Sequence, residues 1–189
     1  APSAEEAVAL SRSAPALSVG LHVDLEALGA SLASGSTARA EVRRQIQSFR
    51  QLLGRLPTHL DSHHDVHRRS DLLPEFAGLA EQFDLPLRGC SESRSFTRFY
   101  GQWGGETHLE QVGVESLVRM LEEEIEEGAT EMTCHPGYVE AGDTSSYSIE
   151  REAELRTLCA PRLRQALRRL SIELISFHDL ARFRAGAAR

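Results

Sequence analysis

Residues 57–67 read Pro57-Thr58-His59-Leu60-Asp61-Ser62-His63-His64-Asp65-Val66-His67. The first part, 57–61, predicts a brief strand, and a histidine-dense turn comes directly after it. Four of the chain's eight histidines fall between 59 and 67. A surface loop has no structural need for so many imidazoles, whereas neutral imidazole and carboxylate are ordinary ligands of zinc-like ions. The alternatives are a solvated polar turn and an adventitious histidine cluster.

The pattern on either side is that of an α/β chain. Upstream, Ser3 and Glu6 have capping-box spacing, and Ala7, Val8 and Leu10 continue a helix from about the third residue. Residues 17–23 form an apolar run that predicts a buried strand. A Gly/Ser/Ala-rich loop at 28–37 precedes a helix marked by Val42, Ile46, Phe49 and Leu53, which ends at Gly54. Downstream, Leu72, Leu73, Phe76, Leu79, Ala80 and Phe83 mark a helix, and 85–88 a strand. Residues 89–106 lack periodicity and predict a long loop, a feature that is usually functional or mobile.

A helix carrying Leu109, Val112, Leu117, Met120, Leu121 and Ile125 comes next, with the acidic run 122–127 on its solvated face. The remainder predicts a strand at 129–134, a loop at 137–148 and helices at 149–159 and 161–170. A last strand at 172–177 leads to a short helix from His178. This order, αβαβαβαβααβα, indicates a mostly parallel sheet with crossover helices in one domain, 1–189.

Two more histidines sit at predicted strand ends. His22, in Gly20-Leu21-His22-Val23-Asp24, taken alone reads more simply as a satisfied core histidine. His135, in Glu131-Met132-Thr133-Cys134-His135-Pro136-Gly137, stands where Pro-Gly stops a strand, and taken alone is equally an ordinary strand-to-loop residue. Three histidine motifs at the C-terminal edges of parallel strands make coincidence the poorer explanation, because active sites of α/β barrels gather at that edge. Asp61 reads equally as a partner of a ligand imidazole or as a cap of the histidine turn. His59, His64 and His67 read as supporting, wall or surface residues. Arg88 could bind a carboxylate or another polar oxygen at the same edge, or be a plain surface arginine. Phe99, Tyr100 and Trp103 could stack on a ring-shaped ligand or plug their own loop.

Bulk properties narrow the partners. Apolar residues make up 41% and charged residues 26%, as in ordinary globular chains, and the net charge of −7 argues against nucleic acid. Cys90, Cys134 and Cys159 have no CxxC spacing, which predicts reduced thiols. No apolar stretch approaches the roughly 18–20 residues of a membrane span, and no leader pattern opens the chain. The expectation is a cytoplasmic protein with no membrane partner.

The segments SAEEAVAL, LSVGLHVDL, PTHLDSHHDVH, LPLR, EMTCHPG and SYSIEREAEL resemble, in order, the YdjC-like family, which includes chitooligosaccharide deacetylases. The resemblance implies a distorted, incomplete (β/α) barrel of the polysaccharide-deacetylase-like type, missing its first strands. It implies one divalent ion, Mg2+ or Zn2+, held by an Asp and two His, which map to His22 and His63. His135 maps to the acid on the leaving amine. The implied substrate is an N-acetylated amino sugar or oligosaccharide, with a homodimer left open. Two features depart from the family. No Asn-Ala-Asp-Asp-Phe-Gly type motif, which supplies its metal carboxylate and base, occurs in the chain, as if a βαβ portion of roughly 30 residues or more were missing upstream. Asp65 also stands where the family often has a third consecutive histidine. The alternative is an inactive fragment or paralogue that binds metal or sugar without turnover. Phosphoester cleavage on the same ligands is a weaker third reading, given the few clustered basic residues.

Overall fold

The strand before the histidine turn pairs with the strand that carries His22. In the computed structural model Leu21–Val23 (β1) and Leu60–Ser62 (β2) run in parallel, with Leu21 opposite Leu60, His22 opposite Asp61 and Val23 opposite Ser62. The structure describes residues 2–33, 35–90, 93–139, 142 and 145–180, the side chains of 2, 3 and 30–33 excepted. The chain divides into two compact units, Ala1–Ser91 with Ile175–Arg189, and Glu92–Leu174.

In the first unit the helices are Pro2–Ser13 (α1), Gly35–Leu53 (α2) and Leu73–Phe83 (α3). α2 buries Ala38, Val42 and Ile46, spaced by four residues, so one stripe faces inward. α3 buries Phe76, Leu79 and Ala80. These pack with Val23, Leu25, Leu60, Leu72 and Leu87 into one core. Leu60 also forms a single parallel bridge to Leu87, its N–H donating to the Pro86 carbonyl and its carbonyl accepting from Arg88 N–H. The expected strand at 85–88 is reduced to that bridge. The expected loop at 28–37 instead falls on a kinked 3-10 segment, Glu26–Ala33, and on the first residues of α2. The capping side chain expected at Ser3, and the helix from His178 beyond residue 180, lie outside the described residues.

The second unit contains Arg94–Phe96 (β3) paired in parallel with Thr130–Met132, and a two-strand hairpin, Gln102–Trp103 (β4) with Glu106–Thr107 (β5). Thr130–Met132 is β6. The stretch 89–106, expected to be one loop, thus holds β3, β4 and the start of β5. Gly104 and Gly105 both have positive φ, 63° and 80°, which a two-residue hairpin turn demands and side chains resist. Ser148–Leu158 (α5) and Pro161–Arg169 (α6) fall close to their expected places, whereas Val114–Glu124 (α4) starts five residues after the expected Leu109, with 109–113 in turns. They enclose a core that includes Phe96, Phe99, Val112, Leu117, Met120 and Leu163. Ile172 N–H instead closes the end of α6 on the Leu167 carbonyl, and Leu174 is 77% exposed, so no strand forms at 172–177.

Among the described residues the strands therefore make three two-stranded sheets, two parallel and one antiparallel. The α/β character holds, but one mostly parallel sheet closing toward a barrel is not seen, because the paired runs are only two or three residues long. Among the described residues no helix is long and apolar enough to cross a membrane.

His59 takes part in packing the first unit. Its ring stacks on Phe177 at 3.7 Å, and it lies so close to Gly20 that a Cβ there would sit 2.3 Å from the imidazole. Burial pushes the His59 pKa down from 6.5 to about 4. Between those values the unfolded chain holds a proton that the native one does not, so this contribution is complete above pH 6.5 and is lost as pH falls toward 4. We expect urea unfolding of His59→Asn to show a loss of stability from pH 7 to pH 4.5 smaller than wild type's by about 2 kcal/mol. Equal losses would remove His59 as the source.

Candidate metal centre

Because β1 and β2 are in register at His22 and Asp61, these side chains emerge side by side. Asp61 is only 6% exposed, and both its oxygens are engaged. Oδ1 accepts from His22 Nδ1 at 2.9 Å, and Oδ2 accepts from Arg88 Nη1 at 2.9 Å. A carboxylate only accepts, so the neutral His22 ring carries its proton on Nδ1 and keeps a lone pair on Nε2. The hydrogen bond to Asp61 raises the His22 pKa, with desolvation opposing it. Burial, the largest single influence on Asp61, pushes its carboxyl up. The hydrogen bonds and charges of His22 and Arg88 together outweigh it and hold the carboxyl below its ordinary range.

His63 opens a 3-10 segment, His63–Arg68, directly after β2. Its Nδ1 lies 3.4 Å from His22 Nε2, longer than a good hydrogen bond. Two zinc–nitrogen bonds of about 2.0–2.1 Å at a tetrahedral angle place their nitrogens about 3.3 Å apart, so the pair fits a shared divalent ion. On the other side of the ring, His63 Nε2 is 3.2 Å from Glu26 Oε1, and His64 Nε2 is 3.9 Å from the same oxygen. Glu26, His63 and His64 thereby bring three donor atoms within 4.8 Å of one another. They also line, with Leu25, Gly29 and Val66, a cleft of about 180 Å³.

Glu26 was not among the residues singled out from sequence. The available signal is the Asp24-Leu25-Glu26 spacing: Asp24 Oδ1 accepts the Glu26 N–H at 2.8 Å and turns the chain after β1. Gln45 of α2 secures that turn, donating from Nε2 to the Asp24 carbonyl at 2.6 Å and accepting the Asp24 N–H at 3.2 Å.

His64 and Asp65 both have φ of 52°, a left-handed backbone costly for residues with a side chain. His67 pins this turn. It is fully buried; its Nε2–H donates to the Arg88 carbonyl at 3.0 Å, which leaves Nδ1 to accept from the Ser62 hydroxyl at 2.7 Å. Ser62 Oγ in turn accepts the His67 main-chain N–H at 2.9 Å.

The structure thus links Arg88, Asp61, His22 and His63 in one chain of contacts, with the His64 ring 3.9 Å from that of His63 and 76% of its side chain exposed. His59 is engaged with Gly20 and Phe177 instead. His135 belongs to the second unit. Its main-chain N–H donates to Glu154 Oε2, while Glu154 Oε1 accepts the Tyr147 hydroxyl at 2.5 Å. Tyr147 accepts from Gly101 N–H at 2.8 Å and stacks on Tyr100 at 4.8 Å, with the His135 ring edge-on at 5.6 Å. Burial and the bond to Glu154 push the Tyr147 hydroxyl's pKa up. The exposed Trp103 stacks on His108 at 3.7 Å.

An α/β chain that sets two imidazoles on and just after adjacent parallel strands, one of them held by a buried carboxylate, offers donors of the kind that can hold a divalent ion. The chain belongs to the family of YdjC-like proteins, whose model matches residues 1–169. It is 33% identical to a chitooligosaccharide deacetylase of Serratia marcescens, over 94% of this chain and 83% of that one. It is 30% identical to a carbohydrate deacetylase of Clostridium beijerinckii, over 75% of this chain and 60% of the relative. A crystal structure from Enterococcus faecalis V583, described as a candidate cellobiose-phosphate cleavage protein, superposes with a TM-score of 0.75 at 25% identity, covering 93% of this chain and 83% of that one.

The bracing role of His67 has a direct consequence. His67→Ala removes the side-chain bonds to the Ser62 hydroxyl and the Arg88 carbonyl and leaves a cavity, so denaturant unfolding should show a loss of about 2 to 4 kcal/mol. A loss below about 0.5 kcal/mol would show that the turn is held by other contacts.

Proposed function

We propose that this chain is a metal-dependent carbohydrate N-deacetylase domain that hydrolyses the acetamide of an amino sugar or N-acetylated oligosaccharide and releases acetate. The observation that carries the reading is the 3.4 Å approach of His22 Nε2 to His63 Nδ1, with Asp61 behind His22, in a chain whose relatives are named carbohydrate deacetylases. His22 and His63 would hold one divalent ion, Mg2+ or Zn2+. When bound, such an ion lowers the pKa of a water and polarises a carbonyl oxygen.

The chain's own residues supply the rest. Asp61 fixes the His22 tautomer so that Nε2 keeps its lone pair free for an ion, and His22 and Arg88 together hold Asp61 ionised. His135 is assigned the proton delivered to the departing sugar nitrogen, a task suited to imidazole near neutral pH. The base that takes the proton of the attacking water is assigned to the family's Asp-Asp motif, which does not occur in these 189 residues. Neutral sugar substrates suit the chain's net charge of −7 better than phosphorylated ones.

Two measurements test this. In titration calorimetry with Zn2+, His63→Ala should weaken binding far more than His67→Ala; equal losses would refute the ligand assignment. In an acetate-release assay on N-acetylglucosamine oligomers, the metal-loaded 189-residue chain should turn over little or not at all. A version extended at its N-terminus by a strand bearing the Asp-Asp motif should be active. Equal robust activity in both would overturn the assignment of the base.

A further inference from the structure

We propose that Glu26 is the positioning carboxylate of His63, as Asp61 is of His22, so that each ligand imidazole is braced from behind by its own acid. The inference rests on the two-imidazole reading of the centre and adds a residue to it.

An imidazole carries its two nitrogens on opposite sides and can offer only one of them to a given ion. His63 turns Nδ1 toward His22 Nε2 at 3.4 Å and Nε2 toward Glu26 Oε1 at 3.2 Å. An ion shared by His22 and His63 uses Nδ1 of His63, and the ring proton must then sit on Nε2. A proton there needs an acceptor, and the Glu26 carboxylate oxygen, in ion-pair contact at 3.2 Å, is the one beside it. The same logic already holds across the strand pair, where His22 donates Nδ1–H to Asp61 and keeps Nε2 bare. Ligand histidines commonly donate their second nitrogen to a carboxylate, which fixes tautomer and ring plane and strengthens the donor.

The competing arrangement puts the ion among Glu26, His63 Nε2 and His64. It abandons His22, whose tautomer Asp61 has already set for ligation. It also relies on His64, whose Nε2 is 3.9 Å from the Glu26 oxygen, whose side chain is 76% exposed, and whose backbone is left-handed. Glu26 itself is presented by a built turn, through the Asp24 carboxylate and the Gln45 amide. Its side chain is 66% exposed, so its removal should leave the fold intact.

The test is Zn2+ calorimetry on the full 189-residue chain and its Glu26→Ala, Glu26→Gln, His64→Ala and His22→Ala variants, with long-range ¹H–¹⁵N correlation of the His63 ring. Glu26→Ala should lower affinity roughly ten- to hundred-fold without changing the unfolding midpoint. Glu26→Gln, which keeps an acceptor oxygen, should recover part of that loss, and His64→Ala should bind as wild type. The zinc-loaded His63 ring should be protonated on Nε2. Wild-type affinity in Glu26→Ala would overturn the proposal. So would a His64→Ala loss equal to that of Glu26→Ala with His63 ligating through Nε2, which would make Glu26 a ligand. Zinc uptake indifferent to His22→Ala would be a different failure, that of the two-imidazole reading on which the role of Glu26 rests.

Discussion

The Asp61 carboxylate is the interaction on which the candidate centre depends. Taking a carboxylate out of water is expensive unless charged or hydrogen-bonding partners replace the solvent, and removing one partner of such a group leaves a costly orphan. Asp61 gives one oxygen to His22 and the other to Arg88, so three chain segments meet on a single buried group. The Leu60–Leu87 bridge and the His67 bond to the Arg88 carbonyl tie the third segment from its backbone as well. The orientation of His22, its tautomer and the place of Arg88 follow from satisfying that one carboxylate.

The turn after β2 shows the same economy on the backbone. Two successive left-handed residues, His64 and Asp65, cost of order 1–3 kcal/mol each in backbone strain. They turn the chain sharply enough for His63 to face β1 while His67 is driven into the core beside Phe76. The burial of His67 and its bonds to Ser62 and Arg88 offset the strain. The histidines of this stretch therefore have different occupations: His63 meets His22, His67 holds the turn, and His59 packs beneath Gly20.

The second unit relies on buried acids of its own. Glu150 and Glu154, one turn apart on α5, are fully buried. Glu154 fastens the main chain of His135 and the hydroxyl of Tyr147, while Glu150 Oε1 accepts from Thr107 of the hairpin. An apolar residue at either position would pack but would leave those donors unpaired. The segment carrying His135 is thus set by a polar core that an apolar-periodicity reading of α5 passes over.

Much of this was legible in the chain itself. The 3.6-residue stripe of α2 and the run of α3 are local properties, and so is the concentration of imidazoles after a short apolar strand. The glycine pair at 104–105 is itself a hairpin-turn signal, but the flanking strands, only two residues each, are too short to show an alternating pattern. Sequence alone thus carried the α/β character and the family resemblance, and it singled out His22, His63 and His135 for their places at strand ends. Tertiary structure decided the rest. The partners of His22 are 39 and 41 residues away, and their meeting depends on the register of β1 against β2, which no local period encodes. The one-bridge strand at 87 and the missing strand at 172–177 turn on whether a neighbour's backbone is in reach. Glu26 becomes relevant only because a turn held from α2 carries its carboxylate back to His63. Residue type and period are written along the chain, whereas which nitrogen faces which oxygen is settled only when distant segments pack.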